Sequence, residues 1–206
     1  MDLVLATGNA GKVKEMMTLL APFGWHVCPQ TDYFSDEVEE TGRTFVENAI
    51  LKARFAAEKT GLPAIADDSG LEVDILRGAP GIYSSRYAGA QATDGENIQK
   101  LLHALEGVPE EKRTASFYCA MVFLHHAGDP TPIIGLGQWQ GRILTAPQGT
   151  GGFGYDPVFE VSELGVSAAE IPAEHKQQLS HRAQAMEQLL DQMLSDRDQI
   201  RMATEG

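Results

Sequence analysis

A short apolar run, Pro63-Ala64-Ile65-Ala66, passes directly into two adjacent carboxylates, Asp67 and Asp68, and then into Ser69-Gly70. The run reads as the end of a buried strand, and Ser69-Gly70 as the turn that stops it. Side chains alternate along a strand, so Asp67 and Asp68 are expected on opposite sides. One of them can then face a cleft and hold a hard cation or a water. In isolation the motif favours an Asx-turn that merely closes the strand, so its neighbours in the chain decide its meaning.

A chain of 206 residues has length for one domain or two small lobes with a real core. A net charge of −13 leaves no broad basic face, which argues against a nucleic-acid polymer as partner. An anionic small molecule stays open if the few Lys and Arg converge on one site. Cys28 and Cys119 lie far apart in apolar, strand-like contexts without metal-ligand or CxxC spacing, and are expected as buried free thiols. The start, Met1-Asp2-Leu3, shows neither a positive n-region nor a long apolar h-region, and the apolar stretch Cys119 to Leu124 is too short to span a bilayer. A cytoplasmic location without membrane association is expected.

Leu3 to Ala6 reads as a buried first strand, with Thr7-Gly8-Asn9-Ala10-Gly11 turning out of it. A helix follows, with Val13, Met16, Met17 and Leu20 on its apolar face and Pro22 ending it. Trp25 to Pro29 suits a second strand, and Thr31 to Gly42 an acidic loop. Thr44-Phe45-Val46-Glu47 has capping-box form and opens a helix with a stripe of Phe45, Ala49, Ala53 and Ala56. Gly78 to Gly89 reads as an ordered loop. Thr93-Asp94-Gly95-Glu96 is a second capping box, opening a helix with Ile98, Leu101, Leu102 and Leu105 inward. Thr114 to His125 and Thr131 to Ile143 form a hairpin pair, and Gln148 to Asp156 a second glycine-rich loop. Ser180 caps a last helix with Ala183, Met186, Leu190 and Met193 inward, and 195–206 reads as a frayed polar tail. With βα units in front and antiparallel material behind, the expected class is mixed α/β, one domain over 1–206 in two lobes.

Thr7 to Lys12 sits between a strand and a helix start, where amide groups, the helix dipole and the Lys12 charge favour phosphate. It is not a Walker loop, since Gly8 and Gly11 are too close and Val13 follows the lysine. A plain turn with a solvated lysine is the alternative. Glu39-Glu40 can be solvated or, with Asp68, can hold Mg²⁺ completed by substrate phosphates. Phe153 can stack on a base with Asp156 accepting from a ring N–H, or can simply pin its loop into the core. Lys176 and Ser180-His181-Arg182 put donors around a helix N-terminus, where an anion or carbonyl oxygen would explain them better than the dipole does.

Taken together, these segments resemble the inosine/xanthosine triphosphate pyrophosphatase family. The matching pieces are Thr7-Gly8-Asn9 with Lys12 and Glu15, Glu39 to Gly42, Phe45 to Ala49 with Lys52-Ala53, and Ala66 to Leu71. They continue, in the family's order, through Gly78 to Tyr87, Gly151 to Phe159 and Ser180 to Arg182. The resemblance implies a mixed twisted sheet flanked by helices, two lobes around a deep nucleotide-binding cleft, and a homodimer. It implies Mg²⁺-dependent hydrolysis of dITP, ITP or XTP to the monophosphate plus pyrophosphate. By the same resemblance, Thr7, Gly8, Asn9, Ala10, Gly11 and Lys12 would hold the triphosphate. Glu39 and Asp68 would bind the metal, with Asp68 also the proton acceptor. Ser69, Phe153, Gly154, Tyr155, Asp156, Lys176, His181 and Arg182 would bind the nucleotide. A Maf-like pyrophosphatase of other base preference and a non-catalytic nucleotide sensor are the competing readings.

Overall fold

The structure, a computed structural model, describes residues 2–204, with side chains through residue 195. The tail expected at 195–206 therefore falls almost wholly outside the described side chains. In chain order the elements are β1 (Asp2–Leu5), α1 (Ala10–Leu20), β2 (His26–Pro29), α2 (Phe45–Thr60), β3 (Ala64–Val73), α3 (Asp94–Ala104), β4 (Thr114–Leu124), β5 (Ile133–Ile143), β6 (Phe159–Val161), β7 (Val166–Ser167), α4 (Ala173–Leu179) and α5 (His181–Thr204). The seven strands form one mixed sheet in the order β2-β1-β3-β4-β5-β6-β7. The front of the chain pairs in parallel, β1 with β2 and β3. The back pairs antiparallel, β5 with β6 and β6 with β7.

The chain divides into two compact units. The first comprises Met1–Asp68, Ala120–Gly137 and Arg182–Gly206, the second Ser69–Cys119 and Gln138–His181. In the first, the alanine stripe of α2 (Ala49, Ala53, Ala56, Ala57) packs on Val4 and Ala6, on Ala64 and Ala66 of β3, and on Val122 and Leu124 of β4. The second unit packs Ile98 and Leu101 of α3, with Leu105 just after it, against Leu71, Val73, Phe117, Trp139, Phe159 and Val161. Both expected capping boxes form: the Thr44 and Thr93 side chains accept from the amides of Glu47 and Glu96, whose carboxylates return the bond. Cys28 and Cys119 are buried free thiols.

Three local expectations are corrected. Ser69-Gly70 does not stop β3, which runs on to Val73. Leu71 and Val73 are fully buried, each worth about 1.5–3 kcal/mol, which outweighs a turn preference. On α1, Met16 and Leu20 are buried but Met17 is 40% exposed, because one residue further round a helix turns the side chain off the inner face. Helix α4 was not foreseen: it spans seven residues after Pro172, without a side-chain cap to announce it. Within the 78–89 loop, Gly81–Arg86 forms a 3₁₀ turn.

The β4–β5 connection is fixed by Asp129, which is 3% exposed. Its carboxylate accepts from the amides of His125 at 3.0 Å and Thr131 at 2.9 Å. Arg54 of α2 donates to the carbonyls of Ala127 and Asp129. Burial works against the charged form, but the hydrogen bonds from His125 and Thr131 outweigh it and hold the Asp129 carboxyl down at about 2. A depressed carboxyl pKa stabilises the fold fully above the ordinary value of 3.8, and the contribution is lost as pH falls through about 2. Asp129→Asn is therefore expected to cost about 1–3 kcal/mol at pH 7. In urea titrations the gap to wild type should shrink between pH 4 and pH 2, and a gap independent of pH would contradict this.

Candidate active site

In the first unit, β1 runs into a turn that opens α1. The Asn9 side chain caps the helix by accepting from the Lys12 amide at 3.1 Å, and Thr7 Oγ1 accepts from the Asn9 amide at 3.2 Å. Gly8, Asn9, Ala10 and Gly11 are exposed at the positive end of the helix, which favours negative charge. Thr7 to Lys12 thus forms the expected βα turn. The Lys12 ammonium is held by Asp67 at 2.9 Å.

The two carboxylates of β3 have different partners. Ala64 and Ala66 face the α2 stripe, so Asp68, on the same face by the two-residue period, is directed toward α2. There it meets Lys52 Nζ at 3.0 Å and Asn48 Nδ2 at 3.2 Å. Asp67 belongs to the other face, where it pairs with Lys12 and with Arg182 Nε at 3.3 Å. Arg182 also reaches Glu15 at 3.3 Å. Burial alone would raise Asp67, but the charges of Lys12, Arg182 and Lys52 outweigh it and hold the carboxyl far below its usual range. For Asp68 burial wins: its carboxyl is raised despite Lys52, with Glu40 adding to the rise. Lys52 is raised too, because the charges of Asp68, Asp67 and Glu40 overcome its desolvation.

Of the acidic pair, Glu39 is exposed, whereas Glu40 shares the Lys52 ammonium with Asp68, at 2.9 Å. Lys52, Asn48 and Gly42 did not enter the sequence-based set of site residues. The available signal was polar residues four apart beside an alanine stripe, because a buried face carrying Asn48 and Lys52 demands polar partners. Asn48 is fully buried and also accepts from the Gly42 amide at 2.8 Å. A Cβ on Gly42 would stand 2.5 Å from Asn48 Oδ1, so only glycine fits this approach.

The remaining sequence-derived residues, apart from Arg182, lie in the second unit. Ser69 is half-buried on β3. In the 149–156 loop, Asp156 is buried, accepts from the Phe153 amide at 2.8 Å and pairs with Lys176 of α4. Phe153 is 36% exposed, with Lys176 Nζ 5.1 Å from its ring centre, so its ring does not pin the loop into the core. Tyr155 is buried, and its phenol donates to the Ser84 carbonyl at 2.7 Å. His181 is buried and stacks on Phe117, with ring centres 4.9 Å apart. Gly154 is in the left-handed region, at φ 61°.

The first unit thus carries an exposed helix start and a buried carboxylate, Asp68, set among a lysine, an amide and a second carboxylate. Such a carboxylate can hold a water and take its proton. Asp67 acts as the counter-charge for two cations. Asp67→Asn would leave Lys12 and Arg182 without it, and a loss of about 3–5 kcal/mol is expected in chemical denaturation. A loss below about 1 kcal/mol would contradict that role.

Comparison with known proteins gives the family. The model of the Ham1 family matches residues 3–192. A dITP/XTP pyrophosphatase of Vibrio parahaemolyticus is 59% identical over 191 residues, 93% of this chain and 96% of that protein. One from Yersinia pseudotuberculosis is 60% identical over 189 residues, 92% of this chain and 96% of that protein. The solved structure of a HAM1 protein from Coxiella burnetii superposes with a TM-score of 0.87 at 49% identity, covering 95% of this chain and 99% of that one. From the first strand to the last helix, this chain belongs to the Ham1 family.

Proposed function

We propose that the chain hydrolyses the deaminated purine nucleotides dITP, ITP and XTP to the monophosphate and pyrophosphate, keeping them out of DNA and RNA. The dITP/XTP pyrophosphatases at about 60% identity support the reaction and the substrate class. The observation that carries the reading to particular atoms is the sorting of two adjacent carboxylates, Asp67 onto Lys12 and Arg182, Asp68 onto Lys52 and Asn48.

In this reading Thr7 to Gly11, through the amides of Gly8, Ala10 and Gly11, and the Lys12 ammonium bind the triphosphate. Asp68 takes the proton of a water attacking the α-phosphorus; the bond to the bridging oxygen breaks and pyrophosphate leaves with its electron pair. Lys52 and Asn48 hold the Asp68 carboxylate in place. The donor set suits a hard divalent cation, because carboxylate oxygens of Asp68 and Glu40 already converge on one ammonium, that of Lys52. Mg²⁺ held by Glu39 and Asp68 would acidify the water and offset charge on the phosphates.

The base falls to the remaining residues: Phe153 stacks on it, and Ser69, Gly154, Tyr155, Asp156, Lys176, His181 and Arg182 bind around it. Donors aimed at a 6-oxo group meet another donor in adenine, and such a mismatch rejects a base by up to about 10⁴-fold. We take the working form to be a cytoplasmic homodimer acting on a free nucleotide. No described helix is long and apolar enough to cross a membrane.

Product analysis with ITP, XTP, GTP and ATP in Mg²⁺ tests the reading. Pyrophosphate is expected from ITP and XTP, with ATP slower by about 10²–10⁴-fold. Orthophosphate as product, or equal rates on all four, would overturn it, and preference for other bases would favour the Maf-like alternative. Asp68→Asn is expected to lose about 10²–10⁴-fold in turnover while calorimetric nucleotide binding survives. An unimpaired variant would move the base elsewhere.

A further inference from the structure

The 149–156 loop has little to hold its own shape. Gly152 and Gly154 both lie in the left-handed region, at φ 72° and 61°, and Phe153 stands between them with a 36% exposed ring. A segment so rich in conformational freedom needs outside bonds to present a flat ring in one pose. Besides the Gly151 amide on the Ala169 carbonyl and Lys176 on Asp156, two bonds reach the loop from elsewhere in its own unit. Tyr155 donates to the Ser84 carbonyl, and Ser84 is itself fixed, its hydroxyl accepting from the Leu71 amide at 2.9 Å and donating to the Gly81 carbonyl at 2.6 Å. The other is Asp94, whose carboxylate accepts from the Gly154 amide at 2.8 Å across sixty positions of chain.

Asp94 opens α3, but the helix does not use its carboxylate for capping. The Thr93 hydroxyl and the Glu96 carboxylate already form the complete capping box. The Asp94 carboxylate is thus available to the loop. Together with Asp156 on the Phe153 amide, it fixes the peptide groups on both sides of the exposed ring. A carboxylate accepting from an amide makes a charge-assisted bond, roughly twice as strong as a neutral one.

We propose that Asp94 is a positioning residue that sets base selectivity, by holding the backbone beneath Phe153 so that the ring stacks on a purine in one orientation. The inference rests on the functional reading above. It assigns to the start of α3 a role in recognising the base and none in cleaving the phosphate chain.

The test compares wild type, Asp94→Ala and Asp94→Asn on ITP, ATP and methyl triphosphate, which carries the phosphates without a base. Asp94→Ala is expected to raise KM for ITP by about 10-fold with kcat nearly unchanged, and to shrink the ITP-over-ATP preference by a similar factor. Rates on methyl triphosphate should not move. Asp94→Asn keeps an acceptor oxygen and should recover most of the loss. The Gly154 amide, followed by hydrogen exchange, should exchange faster in the alanine variant alone. An unchanged ITP-over-ATP ratio, or an equal loss on methyl triphosphate, would overturn the proposal. Wild-type enzyme that fails to release pyrophosphate from ITP would instead bring down the functional reading, and the proposal with it.

Discussion

A carboxylate without solvent exposure needs cations, and Asp67 has two. Lys12 comes from the first turn of α1 and Arg182 from the start of α5, so one buried charge ties three elements of the first unit together. Arg182 in turn engages Glu15, extending the network along α1. Breaking one partner of such a cluster leaves the others uncompensated, which makes it a structural constraint as well as an electrostatic one. It also fixes where the Lys12 charge stands relative to the exposed helix start.

One residue further along the strand, the chemistry reverses. Asp68 lies on the α2 face, where alanines at 49, 53, 56 and 57 pack on Ala64 and Ala66 and keep the helix close to the sheet. That close approach brings Asn48 and Lys52 to the carboxylate, and the capping box at Thr44 with the Gly42–Asn48 bond sets the helix start. The net effect is a carboxyl held low beside one held high on consecutive residues of one strand. Environments that push neighbouring titratable groups apart in this way are a common mark of a working site.

What could be read from the sequence follows from how local the cause is. The boxes at Thr44–Glu47 and Thr93–Glu96 were legible because four residues contain both donors and both acceptors. The separation of Asp67 from Asp68 was legible because strand alternation is a backbone property. The continuation of β3 through Ser69-Gly70 was not, because Leu71 and Val73 are drawn into a core made by residues far along the chain. Lys52 and Asn48 escaped for the same reason: a lysine on a helix reads as solvated until the strand opposite is known to carry Asp68. Asp94 looked complete as part of a cap, and only the fold brings Gly154 to it.

The central claim is that Asp68 serves the reaction while Asp67 serves the cations. A crystal structure with Mn²⁺ and an ITP analogue carrying an imido group between the α- and β-phosphorus tests it most directly. Anomalous density for the metal is expected on Asp68, with Asp67 still paired with Lys12 and Arg182. Metal density on Asp67, or an Asp67 released from both cations, would contradict the account.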